Sequence, residues 1–468
     1  MHGPGQAGHW TRRAPAAGGL LAAGGAAAWL ALAAAQRPSV LSPPTLRGGG
    51  HHWLLGPLSG ALPHLATAPA RLHADLTTAL VVMAAGWLIA TIAAPALPLR
   101  VVAGAVAAAQ VVLVLGPPQP LTDVFNYVVY GRMADDGLNP YTHLPVVAPH
   151  DTAWALSNWH HLPSPYGPLF TLLFEPLARL PLPVAYWTWK ALVLGSALGV
   201  LALAAWLAAR LGRSPQRAVA FAGLCPVTLA MGVGGLHNDG LAMLAVVGTA
   251  ACCVVAGDRG RTGGSWDAAA GALAVTAAGL KPSFALIVPL AVLGAPHRTW
   301  ALAGAAWAGA ITVAVVVLAF GGALPAVGLQ GRLVTPLSVP NLAGVLLGHG
   351  GADAGIRAAG RDALVPVVAV ACALVAWRRR YLLPALGVVL LAAVLTLSWV
   401  TPWYLAWSLP FAAIATPRVL VPVAVAACLW LGVGGVPQLP QLVHDVHFYP
   451  TRSATGLANH DLEIGLVR

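Results

Sequence analysis

Long apolar runs recur from one end of this chain to the other, and nothing else constrains its fold as tightly. They lie near 16–35, 77–98, 100–116, 184–209, 217–235, 238–256, 300–320, 363–377, 382–399 and 418–435, with shorter ones at 166–180, 267–280, 283–296 and 402–416. A helix rising 1.5 Å per residue needs roughly 20 such residues to cross a bilayer's hydrocarbon core of about 30 Å. With 58% hydrophobic and only 8% charged residues, a water-soluble body could not cover its apolar surface. The expected fold class is all-α: a polytopic transmembrane helical protein of about 13 transmembrane helices plus interfacial helices. Residues 1–468 read as a single integral-membrane domain.

The net charge of +11 would suggest nucleic acid in a soluble protein. Here the arginines lie in short segments between apolar runs, so they report topology and no nucleic-acid partner is expected. The flank "HWTRRAPAAGG" and the length of the first run read as a retained first helix rather than a signal peptide. Arg12 and Arg13 place residues 1–15 in the cytoplasm, and "RLGRSPQR", "GDRGRTGG", "PHRTW" and "WRRRY" join them there. The segments 36–76, 117–165 and 321–362, and the tail 436–468, then fall outside. For this parity to hold, 267–296 must be two short helices turning at Lys281-Pro282, and 166–180 must be re-entrant or interfacial. The five cysteines all lie inside apolar runs without metal spacing and read as packing residues.

Against this background the polar residues within or beside the apolar runs stand out. In "LTDVFNYVVYGRMADDGLNPY", Asp123 follows a Pro-rich break and opens a helix; it is either an N-terminal cap or a general base at the membrane surface. Asp135 and Asp136, near the end of that helix, read toward solvated loop. "GGLHNDGLAML" interrupts two apolar helices with His237, Asn238 and Asp239. An acidic side chain at mid-bilayer costs about 2.5–3.5 kcal/mol, so this is either a wet turn or a used one. Lys281, one of only two lysines, sits among apolar residues before the helix-breaking Pro282. It either snorkels to the interface or contacts a phosphate. "SPYGPLF" and "SWVTPWYLAW" set aromatic rings at helix ends, where they serve an interfacial belt or the faces of sugars. No nucleotide loop of the P-loop or Rossmann type is present.

At "DVFNYVVYGRMADDGLNPY", "SPYGPLF", "LHNDGLAML", "GLKPSFAL" and "TPWYLAW" the chain resembles the GT-C class of integral-membrane glycosyltransferases. Within that class it is similar to the actinobacterial polyprenyl-phosphate-mannose-dependent α-1,6-mannosyltransferases of the lipomannan and lipoarabinomannan pathway, in order over about residues 75–435. The resemblance implies a GT-C fold, an enzyme of the cell envelope and a first-loop aspartate as catalytic base, at Asp123. It further implies a polyprenyl-phosphate mannose donor, a mannan or glycolipid acceptor and a plasma-membrane protein with an extracytoplasmic site.

In this scheme a phosphate departs without a proton, so one carboxylate suffices where glycosidases need two. Lys281 is the first candidate for the phosphate, with His237, Asp239, Arg332 and Arg452 behind it. Tyr127, Asp136, Tyr166, Trp403 and Tyr404 are candidates for the acceptor or sugar. No cofactor or metal is required, although Asp123 and Asp239 leave a divalent ion possible. Three alternatives stay open: an arabinofuranosyltransferase using decaprenyl-phosphate arabinose, a lipid-linked-sugar transporter or flippase, and an O-antigen-ligase-like polymerase.

Overall fold

The computed structural model describes residues 7–36, 52–61, 69–119, 122–415, 419–433 and 452–467, and among these there is no strand. Among the described residues seven helices are long and apolar enough to cross a membrane: Arg13–Ala34, Arg71–Ala96, Leu182–Arg210, Asp239–Thr262, Arg298–Phe320, Ala354–Trp377 and Arg379–Thr396. An eighth crossing is formed if Pro215–Gly223 and Val227–Val233 count as one span bent by 58°. The bend has a physical source: Pro226 removes a backbone donor, and the chain continues as a π-helix. The remaining apolar helices, Leu99–Leu115, Pro168–Ala178, Pro282–Gly294 and Leu420–Gly432, are shorter. An expectation of about 13 crossings counts such short runs as spans.

Pro168–Ala178 is the short helix expected at 166–180. Its 11 residues extend only about 16 Å, too little to cross. The expected turn at Lys281 is also present: the Gly264–Leu280 helix ends there, and the chain resumes as a 3-10 turn (Pro282–Ile287) and then Val288–Gly294. The placements expected for residues 1–6, 37–51, 62–68 and 434–451 fall outside the described residues.

Close helix crossings depend on small residues. A Cβ on Gly271 would strike the Ala301 carbonyl, and one on Gly304 would strike the Ala268 carbonyl. Two backbones therefore touch where the Gly264–Leu280 and Arg298–Phe320 helices cross, giving van der Waals contact that lipid tails cannot match. Beneath the Asp123–Asp135 helix lies an aromatic nest. Tyr127 meets Tyr166, Phe170 and Trp189 edge-on at centroid distances of 4.8, 4.9 and 5.6 Å. Such pairs add about 0.5–1.5 kcal/mol each beyond area burial.

The arginine-bearing turns gather at one end of the bundle. Arg210 pairs with Asp258, Arg298 bonds the Ala376 carbonyl at 3.0 Å, and Arg379 bonds the Pro296 carbonyl at 3.0 Å. The helices Asp239–Arg259 and Gly264–Leu280 run between that end and the other, so Asp239 and Lys281 stand opposite the arginines.

Candidate functional site

At this opposite end a cleft is lined by Asp123, Asn238, Asp239 and Lys281, together with Trp159, Tyr166, Gln330, Trp399, Trp403 and Tyr404. Each polar member is delivered by a break in a helix. Asp123 is the first residue of the Asp123–Asp135 helix. The residue before it, Thr122, makes no side-chain capping bond, and Asp123 Oδ1 accepts from Asn126 Nδ2 at 3.3 Å, one turn further on. Asp123 is thereby left facing the cleft with its side chain 13% exposed.

His237 follows a strained turn. After the π-helix Val227–Val233, Leu236 takes φ = 60°, and it is the only non-glycine residue with positive φ among the described residues. A branched apolar residue rarely adopts this conformation, which costs about 1–3 kcal/mol and persists only where surrounding contacts enforce it. Here the Trp189 indole donates to the Leu236 carbonyl at 2.8 Å. The turn brings His237 Nδ1 to 3.2 Å from Asp123 Oδ2, outside hydrogen-bond alignment, and stacks the imidazole on Trp403 at 3.6 Å.

Asp239 and Lys281 form a buried pair. Lys281 Nζ donates to Asp239 Oδ1 at 2.7 Å, and the Trp407 indole donates to the same oxygen at 2.5 Å. The ammonium also lies 4.3 Å from the Tyr404 ring centre. Asp239 Oδ2 and Asn238 Nδ2 are buried without a hydrogen-bond partner. Leaving such a group unpaired costs about 1–3 kcal/mol, and both residues line the cleft.

Tyr166 is brought beside Lys281 by a glycine contact. Gly167 N donates to the Leu280 carbonyl at 3.2 Å, and a Cβ on Gly167 would run into the Gly279 carbonyl. Desolvation, reinforced by the Asp123 carboxylate, pushes the Tyr166 phenol well above the ordinary range, so it remains a neutral hydroxyl.

The other residues singled out from the sequence divide clearly. Trp403 and Tyr404 line the cleft, but Trp403 backs the imidazole and Tyr404 sits over the ammonium. Tyr127 is buried under the site, its hydroxyl accepting from Asn238 N at 3.2 Å, so it supports the His237–Asp239 turn. Asp136 is exposed at the far end of the 13-residue helix that Asp123 opens, about 20 Å along its axis, and does not reach the cleft. Asp135 pairs with Arg179 at 2.7 Å, tying that helix to the end of Pro168–Ala178. Arg332 is exposed two residues beyond Gln330, and Arg452 is exposed at the start of the C-terminal helix; neither lines the cleft.

Asn126, Asn158, Trp159 and Gln330 were not singled out from sequence. Asn126 is 1% exposed, with Oδ1 accepting from the backbone of Asn158 (3.1 Å) and Trp159 (3.3 Å) and Nδ2 donating to Asn158 Oδ1 at 2.6 Å. Its one sequence signal is its place on the face of Asp123, three residues on. Among the described residues no group of three or more His, Cys, Asp or Glu side chains is close enough to hold a metal ion.

A carboxylate beside an acidic-ammonium pair in one half-dry cleft is equipped to take a proton and to hold an anion. No solved structure matches the chain. A curated relative, alpha-(1->6)-mannopyranosyltransferase A of Corynebacterium glutamicum, is 28% identical over 137 residues, a stretch that is 28% of this chain and 27% of the relative. The sequence profile described as alpha-(1->6)-mannopyranosyltransferase, N-terminal domain, matches residues 53–297, more than half of the chain, and the chain belongs to that family.

Proposed function

We propose that the cleft moves mannose from polyprenyl-phosphate mannose to the 6-hydroxyl of an α-mannoside acceptor of the lipomannan type. The observation that carries this reading is that the Asp123 carboxylate and the Lys281 ammonium open onto one cleft. The acceptor oxygen attacks the anomeric carbon as the bond from that carbon to the phosphate oxygen breaks. Its electron pair leaves with the polyprenyl phosphate, and the hydroxyl proton passes to Asp123. Lys281 faces the charge that grows on the departing phosphate. Asp239 keeps that ammonium in place, and His237, stacked on Trp403, stands beside the second oxygen of Asp123. Direct displacement inverts the anomeric centre, so a β-linked donor yields an α-linked product.

The donor's phosphate needs no protonation to leave, and the scheme calls for no cofactor. The arginine-rich turns occupy the end away from the cleft, and by the positive-inside rule this supports a cleft at the extracytoplasmic face of the plasma membrane. Membranes containing the protein, given radiolabelled polyprenyl-phosphate mannose and a short α-mannoside, should form a labelled α-1,6 product. Asp123→Asn should not. Turnover by that variant at near the wild-type rate would remove Asp123 as the base.

A further inference from the structure

Trp159 and Trp399 come from widely separated segments and meet on the wall of the cleft, ring centroids 5.9 Å apart at 73°. The cleft's other indole, Trp403, lies flat on His237, and Tyr404 is stacked on Trp407 at 4.5 Å. The Trp159–Trp399 corner is engaged by neither cation nor imidazole. Among the described residues, neither of its indole N–H groups has a hydrogen-bond partner.

Both rings are held firmly. Asn126 ties Trp159 to the base, accepting from Trp159 N at 3.3 Å while donating to Asp123 Oδ1 at 3.3 Å. Leu162, Leu333 and Leu466 pack behind it, and His161 N bonds the Leu466 carbonyl at 3.0 Å, so the C-terminal helix backs the ring. Trp399 is flanked by carbonyls that Thr335 Oγ1 holds, Ser398 at 3.3 Å and Val400 at 3.0 Å. Trp159 is 8% exposed and Trp399 half-buried, so Trp399 presents the open surface and Trp159 backs it.

We propose that this corner is the subsite for the acceptor's second sugar: a pyranoside whose C–H face stacks on Trp399 while the next ring offers its hydroxyl to Asp123. The inference rests on the transfer reading above and names what its acceptor must be, a glycoside of at least two rings. A sugar ring has an apolar C–H face and a polar edge. Two crossed indoles with free N–H groups match both, because their π faces attract C–H groups and their N–H groups can donate to hydroxyls. A carboxylate alone grips a neutral hydroxyl weakly, so holding the second ring sets the first.

The test uses full-length protein in lipid nanodiscs and two tritiated probes, methyl α-mannoside and α-1,6-mannobiose, with binding read by scintillation proximity and transfer by steady-state kinetics. The wild type should prefer the disaccharide by about tenfold in Kd and in acceptor kcat/KM, the scale of one aromatic contact. Trp399→Ala should bring the two probes to equal values and leave the donor KM within about twofold. Trp399→Leu, which keeps apolar bulk without a π face, should do the same if the alanine variant fails to fold. A preference that survives either substitution, a wild type without one, or a rise in donor KM in place of the acceptor effect would each overturn the subsite. Because binding is read without donor, a chain that binds the disaccharide but moves no mannose would sink the transfer reading alone. One that transfers with no length preference would sink the subsite alone.

Discussion

Lys190 and Lys281 each lie among apolar helices with two aromatic rings close by. Lys190 Nζ is 4.0 Å from the Trp187 ring centre and 4.5 Å from that of Tyr186; Lys281 Nζ is 4.3 Å from Tyr404 and 5.1 Å from Trp407. They differ in what they are paired with. Lys190 is 1% exposed and, among the described residues, bonds only the Gly116 carbonyl, at 2.6 Å, just past the end of the Leu99–Leu115 helix. It acts as a staple, an amine donating to the carbonyl at the C-terminal cap of that helix, a group the helix itself leaves unpaired. Lys281 has a carboxylate partner, and that carboxylate has an oxygen to spare on the wall of a cleft. Aromatic neighbours are therefore common to both lysines; the counter-charge and the open space are what set Lys281 apart.

The comparison can be broken at several points. Asp123→Asn, on the cleft side, should lower transfer by about 10²–10⁴-fold, the usual contribution of a general base, with thermal unfolding unchanged. Lys281→Ala should lower kcat by about 10²-fold, as loss of one group facing transition-state charge does, with a smaller change in acceptor KM. Equal loss on the acceptor side would place the ammonium elsewhere. Asp239→Asn keeps the shape of the pair while removing its charge. Its loss in kcat should fall between those of Lys281→Ala and Trp407→Phe, and wild-type turnover would show that Lys281 holds its position unaided. Trp407→Phe removes one donor to Asp239 and should cost about tenfold or less in kcat/KM. Lys190→Ala should change kcat least, within about twofold, yet lower unfolding free energy by about 1–3 kcal/mol through the carbonyl left unpaired. A thermal melt in lipid nanodiscs beside a rate measurement reads both. If Lys190→Ala lost activity without losing stability, the division between staple and working ammonium would fail.

The elements that carry these residues were legible because each is announced by a local rule. Pro282 after Lys281, the Pro-rich segment before Asp123 and the polar triplet 237–239 all mark helix breaks in otherwise apolar sequence. Convergence of Asp123, His237, Asp239 and Lys281 at one end follows from counting crossings between arginine-rich turns. The contacts were less legible. Asp239 could be read as facing a phosphate; in the fold it spends one oxygen on Lys281, 42 positions away. Trp159 offered no signal, since a tryptophan near an apolar segment is ordinarily an interfacial anchor.

By itself, then, the order of apolar runs, prolines and arginines determined that this chain is a helical membrane protein whose scarce polar groups stand at helix breaks. That much depends only on neighbours in sequence, on backbone geometry and on the cost of placing charge in hydrocarbon. The tertiary structure alone decided which partner each polar group found: Asn126 with Asn158, His237 on Trp403, Asp239 between Lys281 and Trp407. In a low-dielectric interior an unpaired donor or acceptor is expensive, so these groups take the partners that helix packing brings within about 3 Å. That packing is a property of the whole bundle and of no single segment.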